Sequence, residues 1–405
     1  DLQGTQFTPN EYKPYSQNWE DVDKQLLKPE NTQFGEHLSL TNPFRPETKQ
    51  AYNSEMNFEE KIICAFQVLK KKMAWNGRYQ LYSKELEKVI KKGSGSNADL
   101  NFILISILKD FGLEAYPVVM SRRSSGMLPY NFPSLQKLNT FFVAIHDINK
   151  QKYVFLDSSM DVPAFNILPL ELSVNKARIL SRKEKEENKW VNVMTLSNNK
   201  SFMKIDARIE GDQVKGHRST VLYGQEAIEY QANENHKQDN LVSNPENKVS
   251  QKEKLTVTNL KVKKQENDWA LIEEEFDFVL QADRTDDHLY INPMLFPQLK
   301  SNPFIQTERV LPIEFPYPYK FTMLSTLTLP EGYEVEELPQ SQSIRSEGDG
   351  LQCKYMIQQQ GNTILLNYVF HLKGYIFLSE QYKQLQELWA KVIEKNNALI
   401  VLKKI

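Results

Sequence analysis

Cysteine is almost absent from this sequence. Cys64 and Cys353 are the two present in 405 residues, and their separation leaves no disulfide framework and no paired metal-ligand spacing. Both sit among apolar neighbours and read as inert buried thiols. The six histidines (His37, His146, His217, His236, His288 and His371) fall in unrelated contexts without the pairing of a zinc site. No metal and no cofactor is therefore expected. Apolar runs are short, none near the roughly 20 residues that cross a bilayer, so no membrane span is expected. Charge of one sign is also lacking: 50 Lys and Arg face 52 Asp and Glu, for a net charge of −2. With both signs interleaved along the chain, neither a nucleic-acid surface nor a polybasic membrane patch is indicated. The sequence holds no internal repeat, no low-complexity tract and no phosphate loop, because the turn at Gly93–Gly95 has no following Lys-Ser/Thr. Its start, Asp1-Leu2-Gln3-Gly4, is polar and shows no signal peptide, which leaves the compartment open.

What is present is a globular composition, with 40% hydrophobic and 25% charged residues, in a chain long enough for two domains. Residues 1–56 are polar and carry Pro9, Pro14, Pro29, Pro43 and Pro46. They read as an irregular arm with one short helix near Trp19–Leu27, lying against the next domain or against a missing N-terminal one. Asn57 and Glu60 then form a capping pair ahead of Phe58, Ile62, Ala65, Phe66, Leu69 and Met73 at helical spacing. A second short helix is predicted from Ser83. Next comes Gly93-Ser94-Gly95-Ser96-Asn97-Ala98-Asp99, a glycine-rich turn delivering polar residues onto the first turn of a long apolar helix. That helix carries Leu100, Ile103, Leu104, Ile107, Leu108 and Phe111 and closes at Gly112. Strands are predicted at Ala115–Met120, Phe141–His146 and Tyr153–Leu156, with a surface loop over Ser121–Leu138.

Residues 181–200 are rich in charge and Asn, including the run Arg182–Glu187, and mark a domain boundary. Beyond it the pattern alternates as strands do at Leu255–Val257, Phe276–Leu280 and Thr322–Leu329. A late helix is predicted near Leu378–Lys395 and a last strand over Ala398–Leu402. The expected organisation is an arm over 1–56, an α+β domain of helices packed on an antiparallel sheet over 57–185, and a mostly β, antiparallel sandwich-like domain with one late helix over 200–405.

Gly95-Ser96-Asn97-Ala98-Asp99, the apolar helix and Phe111-Gly112-Leu113-Glu114-Ala115-Tyr116-Pro117-Val118 together resemble the transglutaminase-like domain, of the papain-like cysteine superfamily. In that pattern the cysteine falls at Asn97. Leu138–Ala144 resembles the strand bearing the histidine, whose position falls at Asn139, and Tyr153–Ser158 resembles the strand ending in the aspartate, kept as Asp157. Asn292-Pro293, Asn302-Pro303-Phe304, Arg309–Phe315, Leu329–Tyr333 and Leu402–Lys404 resemble a bacterial multidomain branch of the family, with β-rich domains on either side. The resemblance implies export to the periplasm or beyond, and a further β-rich N-terminal domain of the same protein.

The family's chemistry needs a thiolate at a helix N-terminus, a histidine base and an aspartate to orient it. An asparagine amide supplies neither nucleophile nor base, so Asn97 and Asn139 withdraw two of the three roles. Ser96 is the remaining hydroxyl and reads as a helix cap in preference to a nucleophile. Asp157 is either a local strand-end acceptor or the floor of a polar site with Asn97 and Asn139. His146 reads as structural. Tyr79, Tyr82, Tyr116, Tyr130, Phe132 and Phe141 could line a groove beside the site, though core packing is the preferred reading.

Three functions follow as expectations. The preferred one is a degenerate transglutaminase-like module that binds or scaffolds a peptide, a protein or a cell-envelope polymer. The others are an unconventional hydrolase or acyltransferase acting on peptide amides through Ser96 or Asp157, and an architectural part of a larger exported protein.

Overall fold

The structure, a computed structural model, describes residues 6–8, 11–13, 18–182, 189–240, 248–250, 255–265 and 268–405. The charge run after Arg182 lies outside the described residues. The chain forms two compact units, Asp1–Leu196 and Ser197–Ile405, and it mixes helices and sheets as an α+β protein with a β-rich C-terminal region.

Among its described residues the first unit carries five α-helices: α1 (Trp19–Leu27), α2 (Arg45–Ala51), α3 (Phe58–Lys72), α4 (Leu86–Lys92) and α5 (Asn97–Asp110). The capping box at α3 forms, Asn57 accepting from the Glu60 amide at 3.0 Å and Glu60 from the Asn57 amide at 2.8 Å. Helix α4 starts at Leu86 rather than Ser83. Ser83 caps nothing, because the N-cap position is Glu85, three residues before Lys88. Helix α5 is buried along almost all its length, as an apolar residue set wider than one stripe requires. It ends with Gly112 at φ 74 and reverse bonds to Leu108 and Lys109, a glycine C-terminal cap.

Behind these helices stands a sheet of five strands in the order Lys152–Leu156, Thr140–Asp147, Glu114–Met120, Ala177–Ile179 and Trp190–Val191. Every neighbouring pair is antiparallel. Because side chains alternate across a strand, Phe141, Val143 and Ile145 face one core together with α5, while Phe142 and Ala144 face another with Tyr116 and Phe155. Phe102 of α5 meets Phe141 at 4.8 Å between ring centroids.

The described part of the arm is more ordered than its scattered prolines suggest. Trp19, Val22 and Leu26 recur at helical spacing and are buried, with Phe34, Leu38 and Phe44, in the same core as α5. Asp23 of α1 also holds Arg178 of the sheet through a fork of bonds at 2.9 and 2.6 Å, both side chains being 4% exposed or less.

In the second unit nine strands form one sheet, ordered Lys248–Ser250, Leu255–Gln265, Asp268–Gln281, Gln213–Tyr223, Lys200–Glu210, Tyr319–Thr328, Thr363–Leu372, Leu351–Gln360 and Gln342–Arg345. Strand Lys200–Glu210 buries Ser201, Met203, Ile205, Ala207 and Ile209 in strict alternation. One pairing, Lys200–Glu210 with Tyr319–Thr328, is parallel, so the sheet departs from the fully antiparallel expectation. A second sheet, including His288–Ile291, Tyr333–Glu337 and Ile400–Lys404, shares its core. So does the late helix α7 (Tyr382–Asn396), which buries Tyr382, Leu385, Trp389 and Val392. The last strand begins two residues later than predicted, since Ala398 still donates to Lys395 at the helix end. Helix α6 (Gln225–Asn240) was not legible in the sequence, because its polar composition carries no apolar stripe. No helix among the described residues is long and apolar enough to cross a membrane.

Candidate functional site

The glycine turn is built for close quarters. Gly93 ends α4 at φ 70, a left-handed conformation that favours glycine. Ser94–Gly95 then pairs in parallel with Ala74–Trp75. A side chain at Gly95 would fall 2.5 Å from Val89 Cγ1 and 2.9 Å from the Asp99 carboxylate, so only glycine passes there. Ser96 is the N-cap of α5. Its hydroxyl donates to Asp99 Oδ2 at 2.7 Å and accepts from the Asp99 amide, while Asp99 accepts from the Ser96 amide at 2.8 Å. Ser96 is 1% exposed and fully engaged. This is a capping box, with the Asp99 carboxylate held by the Ser96 amide and hydroxyl and no histidine bonded to Ser96 among the described residues.

Asn97 occupies the first turn of α5 and is completely buried. Its Nδ2 donates to Thr140 Oγ1 at 2.8 Å and to the Phe141 carbonyl at 3.0 Å, and its Oδ1 accepts from the Gln80 amide at 2.8 Å. One turn on, on the same helix face, Asn101 donates to the Phe141 carbonyl at 2.8 Å and to Asp157 Oδ2 at 2.9 Å. Asn101 Oδ1 accepts in turn from the Ser158 amide at 3.0 Å and its hydroxyl at 2.6 Å. Asp157 Oδ1 takes the amide and the hydroxyl of Ser159, and the Tyr79 hydroxyl lies 3.2 Å from Ser159 Oγ. Asn97, Asn101, Thr140, Asp157 and Ser158 are each no more than 1% exposed. The result is a closed and mutually satisfied polar network.

Burial pushes the Asp157 carboxyl above its ordinary value, and hydrogen bonds from Ser159 and Asn101 pull it partly back. Lys70, whose own affinity for its proton is lowered by burial, donates to the Ser158 carbonyl at 3.4 Å. The Tyr79 hydroxyl is pushed up to about 12, chiefly by burial.

The structure brings Asn97 and Asp157 into one network through Asn101, but Asn139 is not part of it. Adjacent side chains diverge on an extended backbone, so only one of Asn139 and Thr140 can turn toward Asn97, and that one is Thr140. Asn139 instead accepts from the Arg122 amide at 2.9 Å, extending the ladder past the strand end. The sequence reading missed Thr140, Asn101, Ser158, Ser159 and the Gln80 amide. The signal for Asn101 was a polar residue four positions after Asn97 inside an apolar run.

His146 lies away from the network, stacked on Tyr153 at 4.9 Å and 3.5 Å from the Glu114 carboxylate. The six aromatics do not line one groove. Phe141 is buried against Phe34 and Phe102, Tyr116 packs on Tyr153, and Tyr130 and Phe132 are exposed. Of the six, Tyr79 touches the network through its hydroxyl and Phe141 through its backbone carbonyl. Both cysteines are buried, and burial raises both thiols, Cys353 to about 11. Chemically the network can hold a proton at Asp157 and fix the helix to two strands, while Asn97 is an amide whose hydrogen-bonding groups are all engaged.

Residues 287–402, within the second unit, match the model of a domain family of unknown function with a solved structure, DUF3858. No match is found among the curated proteins. Among solved structures, one described as a putative protease from Parabacteroides distasonis is similar over 96% of this chain, with a TM-score of 0.53 and 11% identity. This chain spans 59% of that protein's length. At such low identity the likeness concerns the fold.

Proposed function

We propose that the first unit is a transglutaminase-like domain without its covalent chemistry, and that the protein serves as a binding or scaffolding module for a peptide, a protein or a cell-envelope polymer. The observation that carries this reading is the state of Asn97. It stands at the helix N-terminus with both amide functions consumed internally and with no exposed surface. An acyl-transfer site needs a nucleophile, a base within reach and room for a carbonyl beside them, and Asn97 meets none of these conditions. The likeness to a solved structure over nearly the whole chain concerns the fold alone, and the domain reading rests on the sequence resemblance at Gly95–Asp99 and Phe111–Val118. That resemblance is also the ground for proposing that the protein works in the periplasm or outside the cell.

The test is turnover of glutaminyl peptides and peptide amides, run beside labelling with thiol- and serine-directed probes. No turnover and no labelling at Ser96 is expected. Turnover that disappears in Asn97→Ala or Asp157→Ala would overturn the proposal.

A further inference from the structure

Away from that network, the second unit holds a cavity of about 210 Å³ between the nine-stranded sheet, α6 and α7. Its wall is mainly aromatic, with Phe315, Tyr317, Tyr319, Phe321, Phe370 and Trp389 among the lining residues. Its volume exceeds the roughly 150 Å³ that suffices for benzene in an apolar cavity. Glu226 stands in its wall and is shared with an adjoining hollow of about 280 Å³ that also contains Glu229.

Both carboxylates accept from a single hydroxyl, that of Tyr317, at 3.3 and 3.4 Å. The nearby cation, Arg218, is already committed to Glu274 at 2.7 Å. Burial and the neighbouring Glu229 raise the Glu226 carboxyl above its ordinary value, and the Tyr317 hydrogen bond partly offsets them. One donor in the wall is left over: Trp389 is 5% exposed and its Nε1–H has no acceptor among the described residues. A buried donor without a partner is costly.

We propose that this cavity binds a small organic cation, an ammonium group on a short chain that also bears an acceptor oxygen. Aromatic faces attract such a cation through their quadrupoles. The Glu226–Glu229 pair supplies the charge, and the oxygen answers the Trp389 N–H. No reading of the first unit is needed for this.

The test is calorimetric titration of the whole protein with choline, with n-butylammonium, and with 3,3-dimethylbutanol, the uncharged carbon counterpart of choline. Saturable binding of choline is expected, with the neutral alcohol at least tenfold weaker and Glu226→Gln reducing choline binding at least tenfold. n-Butylammonium, which lacks the oxygen, is expected to bind more weakly than choline. Equal binding of choline and the alcohol by the unaltered protein would overturn the proposal whatever the variant does, and so would binding of neither cation. Undiminished choline binding by a folded Glu226→Gln protein would also refute it.

Discussion

Asn97 Nδ2 and Thr140 Oγ1 lie 2.8 Å apart, and both side chains are completely buried. This bond ties the first turn of α5 to the start of a central strand, across 43 residues of sequence.

The energetic weight of that bond is measurable by a double-mutant cycle. Thr140→Val keeps the shape and removes the acceptor, whereas Asn97→Ala strands the Gln80 amide and the Thr140 hydroxyl. Asn97→Ala is expected to cost about 1–3 kcal/mol in urea unfolding, as for buried groups left unpaired. The Asn97–Thr140 coupling should fall within about 0.5–3 kcal/mol, the range for residues in contact, and the Asn97–Asn139 coupling near zero. A larger coupling to Asn139 would show that the wrong neighbour has been assigned.

Asp157 gives a pH signature. Its folded carboxyl is raised above the ordinary value of 3.8, mainly by burial, so the folded state binds its proton more tightly than the unfolded state. The resulting stabilisation is complete below the ordinary value and is lost as pH rises through the raised one. Asp157→Asn cannot titrate and should lack this loss, although it also disturbs the acceptors offered to Asn101 and Ser159. Urea unfolding across that pH window should therefore show the unaltered protein losing stability relative to the variant. A difference that stays flat with pH would refute the assignment.

The arm is anchored by Arg178 and Asp23. Arg178 also lies 5.1 Å from the ring centre of Trp190, which packs edge-on against Trp19. Asp23→Ala would leave a buried guanidinium poorly compensated, with Glu20, its other carboxylate partner, 64% exposed. A loss of about 3–5 kcal/mol is expected. Limited proteolysis should then cut near α1 well before it cuts the sheet. Unchanged stability and unchanged protection would mean that apolar contacts alone hold the arm.

These residues also show how far sequence reading reached. Helix α5, its serine cap and the antiparallel strands behind it were legible, because apolar periodicity and capping chemistry are local signals. So was the placement of Asn97 at the helix start, through the glycines before it. The pairing of Asn97 with Thr140 was not legible. It depends on which of two adjacent side chains turns inward where a strand begins, and tertiary packing makes that choice. Asn101 was hidden for another reason, since a single polar residue in an apolar helix looks like noise until its partner Asp157 is placed beside it. The arm's helix over Trp19–Leu27 and its packing on the next domain were legible, whereas α6 was hidden by a composition that packing overrides.

The contact between Thr140, rather than Asn139, and the start of α5 has a constructive test. Asn97→Cys places a thiol in the first turn of α5, where the helix dipole favours the thiolate and burial opposes it. Alone it should alkylate slowly with iodoacetamide near neutral pH. A histidine at the correct neighbouring position would stabilise the thiolate as an imidazolium partner and accelerate alkylation. Asn97→Cys with Thr140→His is expected to react faster than Asn97→Cys alone, and Asn97→Cys with Asn139→His is not. Enlarging Thr140 risks overpacking, so circular dichroism and urea unfolding must first show that each variant is folded. If the Asn139→His combination is the faster one, the register read from the strand is wrong by one residue, and the closed Asn97–Thr140 contact would no longer carry the reading of this site.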